Sequence, residues 1–534
     1  MAYLGKTPSQ ATRRRYYKTA SGGETSLSGT MTTGGTLTFS DGEFVDVSVN
    51  GVALVAGTDY NTTTANTIGG LSALTASDQV EIVVYDTFSV FGGNVNGDFT
   101  VSNGTLSASG NVSFDGGSIK LDGNFPTGTN NVALGNTALD SGSLSGDNNT
   151  AIGSGALTAN TSGPRNVAVG TDAAESNTTG DAGTAIGFEA LHTNTTGNYN
   201  TAVGKGALYA NTTASNNSAL GFNALSANTT GADNVAIGYG ALDANTTGIE
   251  SVAIGIDAGG ANTTGRITAV GRHAVKSNTT ATENTGIGYR ALRDTTTGAN
   301  NTAVGGDALL LNTTGENNVA VGKGAIDAAT TASRNSAVGS AALGAATTGS
   351  FNVAVGTYAG DAITTGASNV AIGDSALSTA ETASANVAVG QGALFTTTTS
   401  NNVAVGKDAL TASTTGTENV AVGYLSLDAN TTASNNVGIG RHALGGTTTG
   451  GGNTAVGDAA GITNSTGTFN VYVGGDAGSV ATGGNNTFVG RYAGGEVTTG
   501  ASNTILGRYD GNNNGLDIRT SSSQIVLSNG AGNA

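Results

Sequence analysis

From Asn131 to Gly507 the chain repeats one short phrase, as in Asn234-Val-Ala-Ile-Gly238, Asn318-Val-Ala-Val-Gly322 and Asn419-Val-Ala-Val-Gly423. There are 23 copies, the first closing on Gly135 and the last on Gly507. Of the 22 intervals between closing glycines, 18 are 17 residues, three are 16 and one is 18. A register held over 372 residues is the signature of a solenoid, in which each unit contacts only its neighbours.

Within a unit, the residue before the closing glycine is always Val, Ile or Leu. The residue three before it is always Val, Thr or Ser, and the one between is usually Ala. This alternation predicts a short strand. Ala stands three residues after the glycine in 21 of 23 copies, with Ser426 and Asp510 the exceptions, and Leu commonly follows, which reads as a second short strand. Asn-Thr-Thr-Gly turns such as Asn228–Gly231 and Asn312–Gly315 often come next, where Asn and Gly would supply positive φ. Each repeat is then one coil: strand, turn, strand, turn.

Stacking coils at about 4.8 Å gives a rod of roughly 110 Å. The fold class expected is all-β: a trimeric parallel β-roll or β-solenoid of 23 approximately 17-residue coils, preceded by a small antiparallel β-domain. The Val/Ile column is expected to form its thin core. The Ala column is expected to pack against neighbouring subunits, with a homotrimer as the natural closure. The Asn that opens 20 of the 23 phrases reads as a stacked amide ladder.

Composition agrees with an extended β-rod: 87 Gly, 3 Pro, no Trp and 5% aromatics in 534 residues. With no Cys there is neither a disulfide nor a thiolate metal site. A net charge of −17 argues against a nucleic-acid partner. The apolar runs are too short for membrane insertion. The opening Met1-Ala-Tyr-Leu-Gly-Lys-Thr-Pro-Ser-Gln10 has no apolar signal core, so export by a signal peptide is not expected. The run Ile525–Ala534 lacks the amphipathic strands of an outer-membrane anchor.

Five segments are expected. Residues 1–20, basic in an acidic chain, read as a docking segment or a solvated tail, with Arg13, Arg14, Arg15, Tyr16 and Tyr17 as the docking candidates. Residues 21–92 read as an antiparallel β-domain. Val45, Val47 and Val49 alternate, Asn50-Gly51 signals a type I′ hairpin, and Val80, Ile82 and Val84 form a last strand. Residues 93–130 read as an intertwined β neck, 131–507 as the repeat shaft, and 508–534 as a cap or distal end. Large residues enter the last repeats at Tyr472, Phe488, Tyr492 and Tyr509, either as a core-closing cap or as an aromatic sugar-binding surface.

Catalytic and metal-binding patterns are not evident, and no enzyme activity or cofactor is expected. His192, His273 and His442 fall in variable positions of the repeat. Asp243, Asp307, Asp327 and Asp408 are spaced by the repeat without a distinct acid–base pair. No Gly-Gly-x-Gly-x-Asp calcium repeat occurs, and Gly450-Gly-Gly452 leads into no Lys-bearing helix. The Asn-Thr-Thr triplets read as turns rather than glycosylation acceptors. A stacked Thr array is also how ice-binding solenoids look, but this one breaks at Ala329-Thr-Thr-Ala332 and lies in a turn.

The repeated phrase resembles the head repeat of trimeric autotransporter adhesins, whose units wind a trimeric β-roll, although the repeat here is longer. The stretches Phe44–Tyr60 and Asp78–Phe88 resemble the N-terminal domain of tail fibres of marine tailed phages, and the opening Met-Ala-Tyr-Leu-Gly is similar to the virion-proximal start of such fibres. The run Gly507–Thr520, followed by Ile525–Leu527, also resembles phage fibre sequence. These resemblances imply a virion tail fibre that attaches to a phage tail or adaptor protein by its N-terminal end. A rigid shaft would project towards a host surface glycan or outer-membrane receptor. A tailspike-type glycan depolymerase and a bacterial surface adhesin are the alternatives.

Overall fold

The computed structural model describes residues 13–39, 45–85, 119–120, 128–513, 515–529 and 531. Among them every regular element is a β-strand. The chain divides into two compact units, Met1–Val112 and Ser113–Ala534.

The first unit is built on a four-stranded antiparallel sheet in the order Arg13–Thr19, Gln79–Tyr85, Val45–Val49, Val52–Ala53. Alternation sends Tyr16, Val45, Val47, Val80, Ile82 and Val84 to one buried face, where they meet Leu27, Leu37 and Ile68. Asn50 and Gly51 both have positive φ, as a type I′ turn requires. The boundary expected at residue 20 does not hold, because all seven residues of Arg13–Thr19 pair with Gln79–Tyr85. The segment is a strand of the domain. Phe44 and Phe88 lie outside the described residues, as do Met1–Gln10 and most of the expected neck.

The second unit is a parallel β-solenoid. One three- or four-residue strand per coil, from Val132–Leu134 to Thr504–Leu506, stacks in register on the next, so that Ala185 pairs with Ala202 and Ala202 with Ala219. The ladder runs past the repeats at both ends. Ile119–Lys120, within the expected neck, pairs with Val132–Ala133, and Ile525–Leu527 pairs with Thr504–Leu506.

Two expectations about the coil are reversed. The Ala column lies inside, and the Val/Ile column lies outside. Ala168, Ala185, Ala202 and Ala236 are fully buried, whereas Ile186 and Leu220 remain 40% and 49% exposed. The reason is space: the thin interior holds the strand Ala, the Ala three residues after the glycine and the Leu next to it, and these form one continuous core. The second leg of the coil is not a strand. The residues two and four after the closing glycine adopt left-handed backbone, as Asn223 (φ 52°) and Leu225 (φ 55°) do, and this turns the adjacent Ala224 and Leu225 both inward. Its N–H groups bond in opposite directions, Asn223 to the Lys205 carbonyl (2.9 Å) in the coil before and Leu225 to the Ala241 carbonyl (2.9 Å) in the coil after. The buried backbone is thereby satisfied without β pairing.

Glycine closes the phrase because the backbone there has φ near +133°, as at Gly238, and a Cβ would lie 2.5 Å from the Gly255 carbonyl oxygen. The Asn-Thr-Thr-Gly turn works differently from expectation, since neither Asn228 nor Gly231 has positive φ. Gly231 is small because a Cβ would collide with the Gly248 carbonyl of the next coil.

Asn forms two buried ladders. The phrase Asn behaves as read from sequence: the Asn217 N–H donates to Asn200 Oδ1 (3.0 Å), and Asn217 Nδ2 donates to the Gly231 carbonyl (2.9 Å). The turn Asn makes a second ladder, Asn228 Nδ2 donating to Asn211 Oδ1 and to the Gly231 carbonyl, both at 2.9 Å. Beside it, Thr229 Oγ1 donates to the Thr246 carbonyl (3.0 Å). The hydroxyl of the first Thr in the turn is thus turned to the backbone, while the second, Thr230, is exposed.

Candidate functional surface

Each coil strand presents two outward side chains, those three before and one before the closing glycine. Stacking turns them into two parallel columns. The second is aliphatic in all 23 coils, and the first is Val, Thr or Ser. Val319, Val338, Val353, Val355, Ile372 and Ile439 are each more than a third exposed, so the second column, widened where the first holds Val, forms an apolar stripe along the ladder. Soluble chains rarely leave a contiguous apolar patch above a few hundred Å² uncovered.

The second leg carries a mixed surface. Immediately after the closing glycines of four successive coils stand Phe188, Lys205, Phe222 and Tyr239, all exposed. Lys205 Nζ sits 5.5 Å from the Phe188 ring centre and 5.8 Å from that of Phe222, and Phe222 stacks on Tyr239 at 5.1 Å. Five residues after the glycine runs a second row, in which Glu175 meets His192 Nε2 at 2.7 Å and His192 stacks on Tyr209 at 5.0 Å.

The structure separates the distal aromatic candidates. Tyr472, Phe488 and Tyr509 are fully buried, so they belong to the core and are not surface contacts. Burial pushes the Tyr472 hydroxyl well above the usual phenol range. Only Tyr492 of the four is partly exposed, with the guanidinium groups of Arg491 and Arg508 at 4.7 and 5.7 Å from its ring centre. Among the docking candidates, Arg13, Arg14 and Arg15 are exposed. Tyr17 is exposed too, its hydroxyl donating to Glu81 (2.9 Å), and Arg15 lies 3.4 Å from the same carboxylate. Tyr16 is buried in the domain core and is unavailable for docking.

The titratable groups of the shaft stay dispersed. His273 is 3.4 Å from Asp257, and its pKa is lowered by burial first and then by Lys276 and Arg272. His442 meets the Tyr424 ring edge-on. Burial raises the carboxyls of Asp243, Asp327, Asp361 and Asp428, all five residues after a closing glycine. Among the described residues no three His, Asp or Glu side chains gather as a metal site would require, and no helix is long and apolar enough to cross a membrane.

No protein-family model matches the chain, and neither a curated protein nor a solved structure matches it.

Proposed function

We propose that the chain is a structural tail-fibre protein of a tailed phage, with the solenoid as a rigid shaft and the N-terminal domain as the end that docks on the tail. The observation that carries this reading is the outward aliphatic stripe, which repeats without a break through 23 coils. Three identical chains placed around a common axis would turn their stripes towards one another and remove them from water. With about 4.8 Å per coil, such an assembly is a pole of roughly 110 Å. A pole of this kind suits the display of a receptor-binding end away from a particle, where several weakly binding fibres engage a host surface glycan or outer-membrane receptor together. The exposed Arg13, Arg14, Arg15 and Tyr17 support the docking role of the first domain.

Deleting residues 1–92 tests the reading. The expected result is a protein that still assembles but no longer joins virions. Unimpaired incorporation would overturn the assignment of that end.

A further inference from the structure

We infer that the second leg of the shaft carries a saccharide-binding slot at Tyr209, in the fifth of the 23 coils. The inference is independent of the fibre reading, because it rests on the succession His192, Tyr209, Ser226 in three neighbouring coils. In the row five residues after the closing glycine, His192 covers one face of the Tyr209 ring at 5.0 Å and an interplanar angle of 12°. The following coil places Ser226 at the same position, a side chain too short to cover the other face. The result is a depression lined by Tyr209, Ser226, Gly206, Glu189, Lys205 and Asn223, and Tyr209 is 38% exposed beside it.

The size and chemistry of this gap fit a pyranose ring. One coil step is about 4.8 Å, close to the distance at which a flat apolar ring face rests on an aromatic, so a sugar over Ser226 would stack on the Tyr209 face that His192 leaves uncovered. Gly206 opens the floor, since a Cβ there would lie 2.5 Å from Asn223 Oδ1. Around the rim stand a carboxylate (Glu189), an ammonium (Lys205) and an amide (Asn223), donors and acceptors suited to hydroxyl groups in several directions. Lys205 is held in place between Phe188 and Phe222. Opposite charges at the rim favour a neutral sugar over a polyanion. Tyr209 and Ser226 stand on the second leg of their coils, not on the strand that bears the aliphatic stripe.

Native electrophoresis of the full chain through gels containing dextran, galactan or mannan tests the slot. At least one of these neutral polysaccharides is expected to retard the protein. Tyr209→Ala should abolish the retardation, and so should Ser226→Phe, which fills the gap. Tyr358→Ala, on another coil, should leave it unchanged. Absence of retardation in all three gels would overturn the proposal, as would retardation that survives both Tyr209→Ala and Ser226→Phe.

Discussion

Tyr472 fills the space left open by Gly461: a Cβ on Gly461 would lie 2.6 Å from Tyr472 Cδ2. The same ring would overlap a Cβ on Gly478. Most coils hold Ala in the strand and Leu four residues after the glycine. Here the strand carries Tyr472 and the Leu positions carry Gly461 and Gly478, so core volume is exchanged across the coil interior rather than added.

Gly461→Ala should therefore destabilise the distal coils by about 2–4 kcal/mol, through overpacking against Tyr472 and the left-handed backbone at φ +61°. Tyr472→Ala alone should cost about 3–5 kcal/mol by leaving a cavity. The triple change Tyr472→Ala, Gly461→Leu, Gly478→Leu restores the common pattern. It should be destabilised by less than the sum of its parts, as read by hydrogen exchange of the distal coils.

Asn217→Ala breaks a fully buried ladder at both its donor and its acceptor, and should cost about 2–3 kcal/mol in denaturant unfolding. Asn217→Ser should cost less. The chain itself uses Ser251 in this column, where the hydroxyl donates to the Gly265 carbonyl at 3.2 Å.

Asp327 gives a pH signature. Burial, aided by the charge of Asp307, raises its carboxyl above the unfolded value, so the folded chain holds this proton more tightly than the unfolded chain. Its effect on stability is most favourable below the unfolded pKa and is lost as pH rises through the folded one. Asp327→Asn should melt higher than the parent at pH 7, and the difference should vanish below about pH 4. A difference that grows on acidification would contradict the assignment.

The stripe yields a prediction that separates coil stability from assembly. Val355→Glu with Ile372→Glu places charges on outward positions that are 40% and 37% exposed in the single chain. Circular dichroism should keep its β signal while association weakens, because the substituted side chains do not enter the coil core.

How much of this was legible in the residues can be said element by element. The rhythm of the closing glycines dictates stacked coils, and the phrase Asn in 20 of 23 copies indicates its ladder. Alternation alone names two faces without saying which is inside. The telling sign was tolerance: the column three before the glycine accepts Thr and Ser, as water-facing positions do, while the strand Ala column keeps Ala in most coils and takes only Gly or apolar and aromatic residues elsewhere. The second leg was misread as a strand because Ala224 and Leu225 are adjacent and both buried, which period-two geometry forbids. Gly206 and Asn223 in the left-handed position two after the closing glycine were the available signal. The saccharide slot was not legible, because it arises from the order of His192, Tyr209 and Ser226 along a column that only stacking brings together.

Sedimentation velocity of the full chain at micromolar concentration tests most directly the claim that three stripes cover one another. Three chains of 51.8 kDa give an elongated particle of about 155 kDa, which the account predicts as the dominant species. A stable species of 51.8 kDa under the same conditions would contradict it.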